Sequence, residues 1–283
     1  YWVPFLAWCA ERFEIAPERW VVVSRGGTAS WYRGMASRYA DVFDQVTPEE
    51  FRAQHDQRVA ELGEQKQTRG TAFEERLVVE VARRYGLTTW SLLHPSEMYA
   101  LMNPFWWGHT DTSWVHRHAR FRRLPAPDPV GAPVIAGPYV ATKFYFNECF
   151  PATEANREFA ARTLRALAKE GPVIALSTGL ALDDHDAFAA RESGVQHLPE
   201  GIDPARNLQV QTAVVAGARE FVGTYGGFSY LAPFHGVPSR AFYSHAAGFS
   251  ARHLTLVQEA IAAIGSTRLD VHAVADAPVL THV

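Results

Sequence analysis

Hydrophobic and polar positions in the second half of the chain follow two alternating patterns. Short apolar runs bounded by glycine, proline or polar residues predict strands, which fall at 139–147, 172–178, 195–200, 220–225, 239–244 and 268–274. Apolar residues at helical spacing predict helices between these strands, including 153–171 and 252–265. Strands that alternate with helices indicate a parallel, doubly wound α/β sheet.

The first half shows the same alternation less regularly. Helical patterns lie at 1–13, near 30–39 and across the polar stretch 48–85. Apolar runs predict strands within 17–27, at 41–46 and at 87–95. Because a crossover helix joins two strands of one parallel sheet, the helix at 1–13 implies an earlier strand. We therefore expect a first strand and its loop upstream of residue 1.

A stretch in which the periodicity fades separates the two halves. It spans 105–138, and seven prolines or glycines fall in its second half. Such residues interrupt regular structure and mark linkers, and a chain of 283 residues is long enough for two domains. We predict two Rossmann-like doubly wound domains facing a crevice, at 1–124 and 138–283, joined by a linker at 125–137.

Composition argues against several classes of function. The formal net charge is −3, and the one basic cluster, at 117–127, is interpreted as a surface or linker segment, so we expect no nucleic-acid partner. Cys9 and Cys149 are too few for a disulfide framework, and no Cys/His spacing matches a structural zinc site. No apolar run reaches the roughly 18 residues of a membrane span. We expect a cytoplasmic protein whose only membrane contact would be peripheral.

A glycine turn directly follows the predicted strand at 220–225. Ligands of open α/β sheets bind beyond the carboxyl ends of the strands, where this chain has Thr224, Tyr225, Gly226, Gly227, Phe228 and Ser229. Glycines at the start of a helix expose backbone N–H groups, and the helix dipole adds positive charge there. The turn therefore suits a phosphate or a diphosphate. The alternative is a tight turn that lets the helix approach the strand closely.

The sequence around this turn, NLQVQTAVVAGAREFVGTYGGFSYLAPFHGVPSRAFYS at 207–244, resembles the carboxyl-terminal, donor-binding lobe of GT-B glycosyltransferases. The resemblance begins at about residue 138 and is to heptosyltransferase-like bacterial enzymes, which use nucleotide-sugar donors. It implies contacts to the donor phosphates by Thr224, Gly226, Gly227 and Ser229. It also places Asn207 or Gln211 near the ribose or base, although exposed helix polarity explains these two residues equally well. The chain has TYGGFSY where heptosyltransferases favour Asp-Ser-Gly.

A lysine interrupts the predicted strand at 139–147. Such a strand should be central and buried on both faces, where a cation is rare, and Lys143 lies near its carboxyl end. There it would neutralise a departing diphosphate as charge develops, and the resemblance also implies a basic residue after this strand. The alternative is a lysine that snorkels at a sheet edge. Asn147 and Glu148 either contact sugar or phosphate or form the turn before Pro151.

Polar residues also follow the strands predicted in the first half. Arg25, Gly26 and Gly27 are candidates for holding an acceptor anion or a donor phosphate. The candidates for the base that deprotonates an acceptor hydroxyl are His94, Glu97 and Asp111. These residue types are also typical of turns and helix caps. In the enzymes that the chain resembles, the first loop of the amino-terminal lobe often supplies the catalytic carboxylate, which would here lie upstream of residue 1.

One acidic cluster has metal-ligand character and consists of Asp183, Asp184, His185 and Asp186. Two carboxylates and an imidazole can hold a divalent ion. The cluster precedes a helical pattern, however, and such residues also cap helices or stay solvated. We predict no metal site and no cofactor.

Together these features favour a metal-independent glycosyltransferase of bacterial glycan synthesis. It would move a sugar from a nucleotide-diphosphate-sugar to a hydroxyl of a glycan or small-molecule acceptor. Two alternatives stay open. A nucleotide-sugar epimerase of the same architecture would use the same turn without a second sugar, and a non-catalytic two-lobe protein would bind sugar or nucleotide without turnover.

Overall fold

A computed structural model describes most of the second half of the chain and parts of the first. The described residues are 21–24, 41–44, 48–63, 69–90, 92, 94–124, 127, 133, 135–179, 186–188, 192–203 and 206–277. In the first half, strands β1 (Val21–Ser24) and β2 (Asp41–Asp44) pair in parallel. The helices that follow in the described ranges are α1 (Pro48–Leu62), α2 (Ala72–Arg84), α3 (Pro95–Trp106) and α4 (Thr112–His118).

The second half is built around a parallel sheet. In chain order its strands are β3 (Val140–Lys143), β4 (Tyr145–Phe146), β5 (Val173–Ala175), β6 (Asp186–Ala187), β7 (Val195–His197), β8 (Glu220–Thr224), β9 (Ser239–Tyr243) and β10 (Leu269–Ala273). Strands β4 and β6 form a separate antiparallel pair, and the other six form the sheet. The helices of this half are α5 (Glu154–Glu170), α6 (Asn207–Ala216), α7 (Gly227–Phe234) and α8 (Ala251–Ala263).

The strand order of the sheet defines a switch point at its centre. The order is β10-β9-β8-β3-β5-β7, and every neighbouring pair is parallel. The chain builds outward from β3 to β7 on one side, then returns to the centre and builds outward from β8 to β10 on the other. In doubly wound sheets of this order, the ligand crevice opens beyond the carboxyl ends of the two strands where the direction reverses. Here those strands are β3 and β8.

Two apolar clusters pack against opposite faces of the sheet at β3. Consecutive side chains of a strand point to opposite faces, and accordingly Val140 belongs to one cluster and Ala141 to the other. The first cluster includes residues of α5 and α8. The second cluster includes Val210 of α6. By the same alternation, Lys143 points to the face that α6 covers.

Helices α3 and α4 pack against the second half of the chain. Met98, Met102 and Phe105 of α3 form a buried cluster with Leu256 of α8. At the start of α8, the guanidinium of Arg252 donates a hydrogen bond of 3.2 Å to the carbonyl oxygen of Phe105. Helix α3 therefore contacts α8 through buried apolar side chains, and one hydrogen bond lies beside this contact.

The strands and most of the helices predicted for the second half are confirmed. The helical pattern after Asp186 is wrong for its described residues, because Ala187 lies in strand β6 and Phe188 and Glu192 are not helical. Another correction concerns the strand predicted at 139–147, which Phe144 divides into β3 and β4. The predicted ends of α5 are also confirmed, since the Thr153 hydroxyl accepts a hydrogen bond of 3.3 Å from the Asn156 N–H and Gly171 follows the helix.

The predictions for the first half are confirmed in part. Strands β1 and β2 lie where strands were predicted, and the polar stretch at 48–85 is helical but divides into α1 and α2. The strand predicted at 87–95 is wrong, because its described residues have no regular structure before α3 begins. Its apolar residues Trp90 and Leu92 are 49% and 50% exposed, so the apolar run does not mark a buried strand.

Some predictions for the first half concern residues that the structure does not describe. The helices predicted at 1–13 and near 30–39 lie outside the described residues. The domain boundaries and the crevice between two lobes stay predictions. Within the described ranges, no helix combines the length and the apolar character needed to cross a membrane.

Replacing Gly223 with alanine should destabilise the protein. A Cβ at this position would overlap the carbonyl oxygen of Lys143 on the neighbouring strand, and overpacking of a core costs about 1–3 kcal/mol. We expect a loss of this size in the free energy of unfolding, measured by urea denaturation. Gly70→Ala is the matched control, since a Cβ there meets its nearest atom, an oxygen of Glu74, at 3.8 Å. An unchanged urea midpoint for Gly223→Ala would show that β3 and β8 do not approach this closely.

Candidate functional site

The candidate site lies at the switch point, where β3 and β8 run side by side. Lys143 is the last residue of β3 and pairs with Gly223 of β8. Beyond β8 the chain passes through Tyr225 and Gly226 into α7. The carboxyl ends of the two strands therefore bring Lys143 and the amino terminus of α7 to the same edge of the sheet.

The ammonium group of Lys143 has defined contacts. Its Nζ donates a hydrogen bond of 2.8 Å to Oε1 of Gln211 in α6. It also lies 4.0 Å from the ring centroid of Phe228 in the first turn of α7, where the ring face attracts a cation. Strand β3 is central in the sheet, so the alternative of a lysine at a sheet edge is excluded.

Positions 226 and 227 both carry glycine, but the structural environment of each position is different. Gly226 has a φ of +153°, and a Cβ there would overlap the hydroxyl oxygen of Tyr145. Both the backbone conformation and the close approach therefore require glycine at this position. Gly227 is exposed, and a Cβ there would meet no atom within 4 Å. The backbone of Gly227 thus faces open space.

The first turn of α7 has backbone donors that no described residue accepts. The Ser229 hydroxyl accepts a hydrogen bond of 3.1 Å from the Gly226 N–H and donates one of 2.8 Å to the Gly226 carbonyl oxygen. The N–H groups of Gly227 and Phe228 have no hydrogen-bond partner among the described residues, as is usual in the first turn of a helix. With the helix dipole they form a positively polarised surface. The Lys143 ammonium contacts the Phe228 ring of the same turn, so two positively polarised groups lie at this edge of the sheet, an arrangement that suits an anion.

Three predicted contacts of the turn already have partners inside the protein. The Thr224 hydroxyl donates to the carbonyl oxygen of Tyr145 at 2.9 Å and accepts from its N–H at 3.0 Å. The Tyr225 ring is buried in the first core cluster, and burial raises the pKa of its hydroxyl. Ser229 is fully buried, with its hydroxyl bonded to Gly226. The side chains of Thr224, Tyr225 and Ser229 therefore support the turn.

Asn207 and Gln211, predicted near the ribose or base, are buried, with 4% and 2% of their surface exposed. Oδ1 of Asn207 accepts hydrogen bonds from Nε2 of Gln211 and from the Thr178 hydroxyl, each at 2.8 Å. The two residues thus reach the site through the hydrogen bond that Lys143 donates to Gln211. Thr178 was not predicted. Its position at the carboxyl end of the strand predicted at 172–178 was the signal for it.

Asn147 and Glu148 belong to the turn after β4. Oδ1 of Asn147 accepts a hydrogen bond of 2.8 Å from the Phe150 N–H, and Glu148 is exposed. This is the turn that the sequence left open as an alternative. Tyr145, which was not predicted, lies closer to the site, because its hydroxyl covers Gly226 and lies 3.4 Å from the Tyr225 carbonyl oxygen.

His94 lies in a separate cluster around Glu74. Its Nδ1 accepts from the Ser96 N–H at 3.1 Å and caps α3, while its Nε2 lies 3.4 Å from Oε1 of Glu74. The Glu74 carboxylate also contacts the Arg58 guanidinium and accepts from the Thr71 N–H at 2.8 Å. Burial alone would raise the pKa of Glu74, but the hydrogen bonds from His94 and Thr71 and the charge of Arg58 lower it to about 2. His94 therefore has structural partners at both ring nitrogens.

Glu97 and Asp111, the other candidate bases, are exposed near helix starts. Glu97 lies in the first turn of α3. Asp111 caps α4 by accepting a hydrogen bond of 2.9 Å from the Ser113 N–H. Hydrogen bonds from the Ser113 hydroxyl and N–H lower the pKa of Asp111, so its carboxylate is a weaker base than usual.

Two clefts lie near these candidate bases. One of about 600 Å³ is lined by Asp111, His109 and Arg252, among others. The second, of about 360 Å³, is lined by Glu74, His94 and exposed apolar residues including Trp90. Residues of the turn after β8 line neither cleft. Neither cleft therefore joins a candidate base to Lys143 or to the turn after β8.

Several predicted site residues lie outside the described part of the chain. They are Arg25, Gly26 and Gly27, together with Asp183, Asp184 and His185 of the acidic cluster. Asp186, the last residue of that cluster, is exposed in β6. Across the described ranges, no group of three or more His, Cys, Asp or Glu side chains is arranged to hold a metal ion. The absence of a metal site in the whole chain stays a prediction.

Comparisons with known proteins give weak likenesses. No protein-family model and no curated protein matches the chain. Among solved structures, the chain is similar to the glycotransferase of kitacinnamycin, with a TM-score of 0.33 and 16% identity, covering 97% of this chain and 68% of that one. It is also similar to KpsC of Thermosulfurimonas dismutans, a beta Kdo 2,4 transferase, with a TM-score of 0.30 and 12% identity, covering 62% of this chain and 56% of that one. TM-scores of this size assign neither fold nor activity to this chain.

Replacing Glu74 with glutamine should change how stability depends on pH. A carboxylate whose pKa falls from 4.5 to about 2 on folding stabilises the protein above pH 4.5, and this contribution disappears as the pH falls towards 2. The contribution is up to about 3 kcal/mol. We expect Glu74→Gln to be less stable than the wild type at pH 7 and to lose less stability between pH 5 and pH 3, by urea denaturation.

Glu75→Gln provides the matched control for this prediction. Glu75 is the next residue along α2 and is exposed, so its neutralisation should leave the pH dependence of the wild type unchanged. Identical pH profiles for Glu74→Gln and the wild type would contradict the contacts assigned to Glu74.

Proposed function

We propose that the chain is a GT-B-like glycosyltransferase that moves a sugar from a nucleotide-diphosphate-sugar to an acceptor hydroxyl. One observation carries the proposal: at the switch point of a doubly wound sheet, the Lys143 ammonium contacts the ring of Phe228, in the first turn of α7, where two backbone N–H groups have no partner among the described residues. A diphosphate has the negative charge and the acceptor oxygens that such a surface binds.

Charge and geometry both favour an anion at this position. The amino terminus of a helix carries roughly half a positive charge, and the neighbouring lysine adds a full charge. Two positive features side by side repel each other, and an anion that contacts both relieves this repulsion. The open space in front of Gly227 lets phosphate oxygens approach the backbone.

In the proposed reaction, the acceptor hydroxyl oxygen attacks the anomeric carbon and releases its proton to solvent, while the bond from that carbon to the diphosphate oxygen breaks. Negative charge then grows on the leaving diphosphate, and donors that are already in place stabilise it most in the transition state. Lys143 and the N–H groups of Gly227 and Phe228 supply these donors. Gly226 and Ser229 hold the turn in shape. No base is assigned, since His94 and Asp111 cap helices.

The finer parts of the proposal rest on the sequence resemblance at 207–244. They are the nucleotide-sugar donor, a glycan or small-molecule acceptor and a role in bacterial glycan synthesis. The proposed cytoplasmic location rests on the composition of the chain instead. The proposed enzyme needs no metal or cofactor for charge neutralisation, because Lys143 and α7 would perform it. If the site binds an anion other than a diphosphate, Lys143 and α7 would still form an anion-binding site. The donor, the acceptor and the role in glycan synthesis would then no longer follow.

Nucleoside diphosphates and their sugar conjugates should raise the melting temperature of the protein, and Lys143→Met should weaken this effect. A ligand at 100 times its dissociation constant adds about 2.7 kcal/mol to the stability of the folded state. Loss of a hydrogen bond to a charged group costs roughly 1.5–3 kcal/mol, so we expect binding to Lys143→Met to be about 10- to 100-fold weaker. A thermal-shift screen followed by titration calorimetry measures both effects.

Lys169→Met is the control for Lys143→Met. It removes the same charge from an exposed position in the last turn of α5. The proposed donor site is contradicted if no nucleotide shifts the melting temperature at millimolar concentration, or if the two lysine variants bind equally well.

Gly227→Val should abolish diphosphate binding while the protein stays folded. The Cβ of the variant points into open space and the φ of Gly227 is not in the positive region, so the change in stability should stay within about 0.5 kcal/mol. The valine methyl groups would occupy the position of the phosphate oxygens. Melting curves without ligand check the folding, and calorimetry checks the binding. Normal affinity in this variant would remove the turn from the proposed site.

Reaction products separate the proposed transferase from the alternatives. The transferase requires an acceptor and releases a nucleoside diphosphate. A rearranged sugar nucleotide formed without an acceptor would indicate an epimerase, and saturable binding without turnover would indicate a binding protein. Either result would contradict the transferase.

A further inference from the structure

A chain of hydrogen bonds between side chains connects the carboxyl end of β5 to the switch point. The Thr178 hydroxyl, just beyond β5, donates to Oδ1 of Asn207 at 2.8 Å. Nε2 of Gln211 donates to the same oxygen at 2.8 Å. Oε1 of Gln211 then accepts from Lys143 at 2.8 Å. The three neutral side chains thus end on the one cation that the proposed reaction uses.

We propose that Asn207 is a positioning residue, which fixes the side-chain amide of Gln211 and thereby holds the Lys143 ammonium at the switch point before a ligand binds. The inference rests on the proposed function for its ligand, a diphosphate, and on the observed hydrogen bonds for the rest. Neither Asn207 nor Gln211 contacts the ligand in this account.

The donors and acceptors of the chain permit one consistent set of orientations. An ammonium group has only donors, so Gln211 must turn Oε1 towards Lys143. The Gln211 amide nitrogen then faces Asn207, which must present an oxygen. That oxygen has two lone pairs, and the second accepts the Thr178 hydroxyl. Reversal of the Gln211 amide would set its N–H groups against the ammonium.

Burial makes this arrangement hard to replace. Thr178, Asn207 and Gln211 are 7%, 4% and 2% exposed. A buried donor that loses its acceptor is not compensated by water. Removal of Oδ1 from Asn207 therefore leaves the Gln211 amide without the partner that sets its direction, and Lys143 loses a fixed acceptor.

Helix capping does not explain Asn207. Asparagine is common at helix starts because its side chain accepts from backbone N–H groups of the first turn. Helix α6, however, starts after Arg206 with no side-chain cap hydrogen bond. Asn207 is the first residue of α6 and directs its oxygen to Thr178 and Gln211 instead. Its side chain therefore connects the start of α6 to Thr178, just beyond β5, and to Gln211.

The position of Lys143 can be observed without a ligand. The chain contains three lysines, Lys66, Lys143 and Lys169. Protein labelled with ¹³C-lysine therefore gives three Cε–Hε signals, and Lys143→Met identifies one of them. The Phe228 ring lies against the Lys143 ammonium, so its ring current should shift the Lys143 Hε signals away from those of exposed Lys169.

The test compares Asn207→Leu with Asn207→Asp by this signal. Leucine has a similar volume but no acceptor, and the Lys143 signal should move towards that of Lys169. Aspartate keeps an acceptor for both donors, and the Lys143 signal should stay near its wild-type position. A Lys143 signal that does not move in Asn207→Leu, or that moves equally in both variants, would overturn the inference.

Binding of inorganic pyrophosphate supplies the second measurement. Calorimetry should show about tenfold weaker binding to Asn207→Leu, the factor that corresponds to one hydrogen bond. Thr212→Val is the control, because it removes a buried hydroxyl from the same helix whose hydrogen bond to the carbonyl oxygen of Leu208 lies within α6, and its affinity should stay within about twofold of the wild type. Wild-type affinity in Asn207→Leu would overturn the role assigned to Asn207.

The two measurements distinguish failure of this inference from failure of the proposed function. If the Lys143 signal responds to Asn207→Leu but pyrophosphate does not bind the wild type, the positioning role stands and the proposed donor site fails. If Asn207→Leu does not fold, Gln211→Met makes the same comparison, since it removes the acceptor of Lys143 and keeps an apolar side chain of similar length. An unmoved Lys143 signal in Gln211→Met would overturn the inference.

Discussion

The close approach of β3 and β8 determines where each part of the candidate site lies. Gly223 has no side chain, and the Lys143 carbonyl oxygen occupies the space that a Cβ there would need. One residue further on, the Thr224 hydroxyl bonds both backbone groups of Tyr145 and continues the connection where the ladder ends. The distance from Lys143 to the start of α7 is therefore set by strand pairing and by one fully buried threonine rather than by flexible side chains.

This rigidity has an electrostatic cost that other residues reduce. A lysine beside the amino terminus of a helix is unfavourable on charge alone. Gln211 and the ring of Phe228 stabilise the ammonium in the absence of ligand. The electrostatic repulsion between Lys143 and the amino terminus of α7 is therefore overcome during folding, before any ligand binds. Such preorganised donors stabilise developing charge without reorganisation during a reaction.

Sequence patterns predicted the second half of the fold better than the first for a physical reason. The strand at 220–225 is buried on both faces, so its residues form an apolar run with a glycine turn at its end. The apolar residues at 87–95 are exposed in part, and the same kind of pattern there gave a wrong strand. The placement of Lys143 and of the glycine turn at the carboxyl ends of β3 and β8 was predictable, because residue type and position along a strand carry the signal. The link from Thr178 through Asn207 to Gln211 was not, since it depends on side-chain directions in three elements, and an asparagine at a helix start looks the same in sequence whether or not it caps.

The contact between Tyr145 and Gly226 has a consequence for how the site can change during evolution. The tyrosine hydroxyl occupies the space that a side chain at 226 would need, so the two positions are not independent. Loss of the hydroxyl, as in phenylalanine, would relieve the steric conflict at 226, but the positive φ would still disfavour any residue with a Cβ. Related chains should therefore vary at 145 more readily than at 226. A residue other than glycine at 226 should occur only with both a smaller side chain at 145 and a different path of the turn.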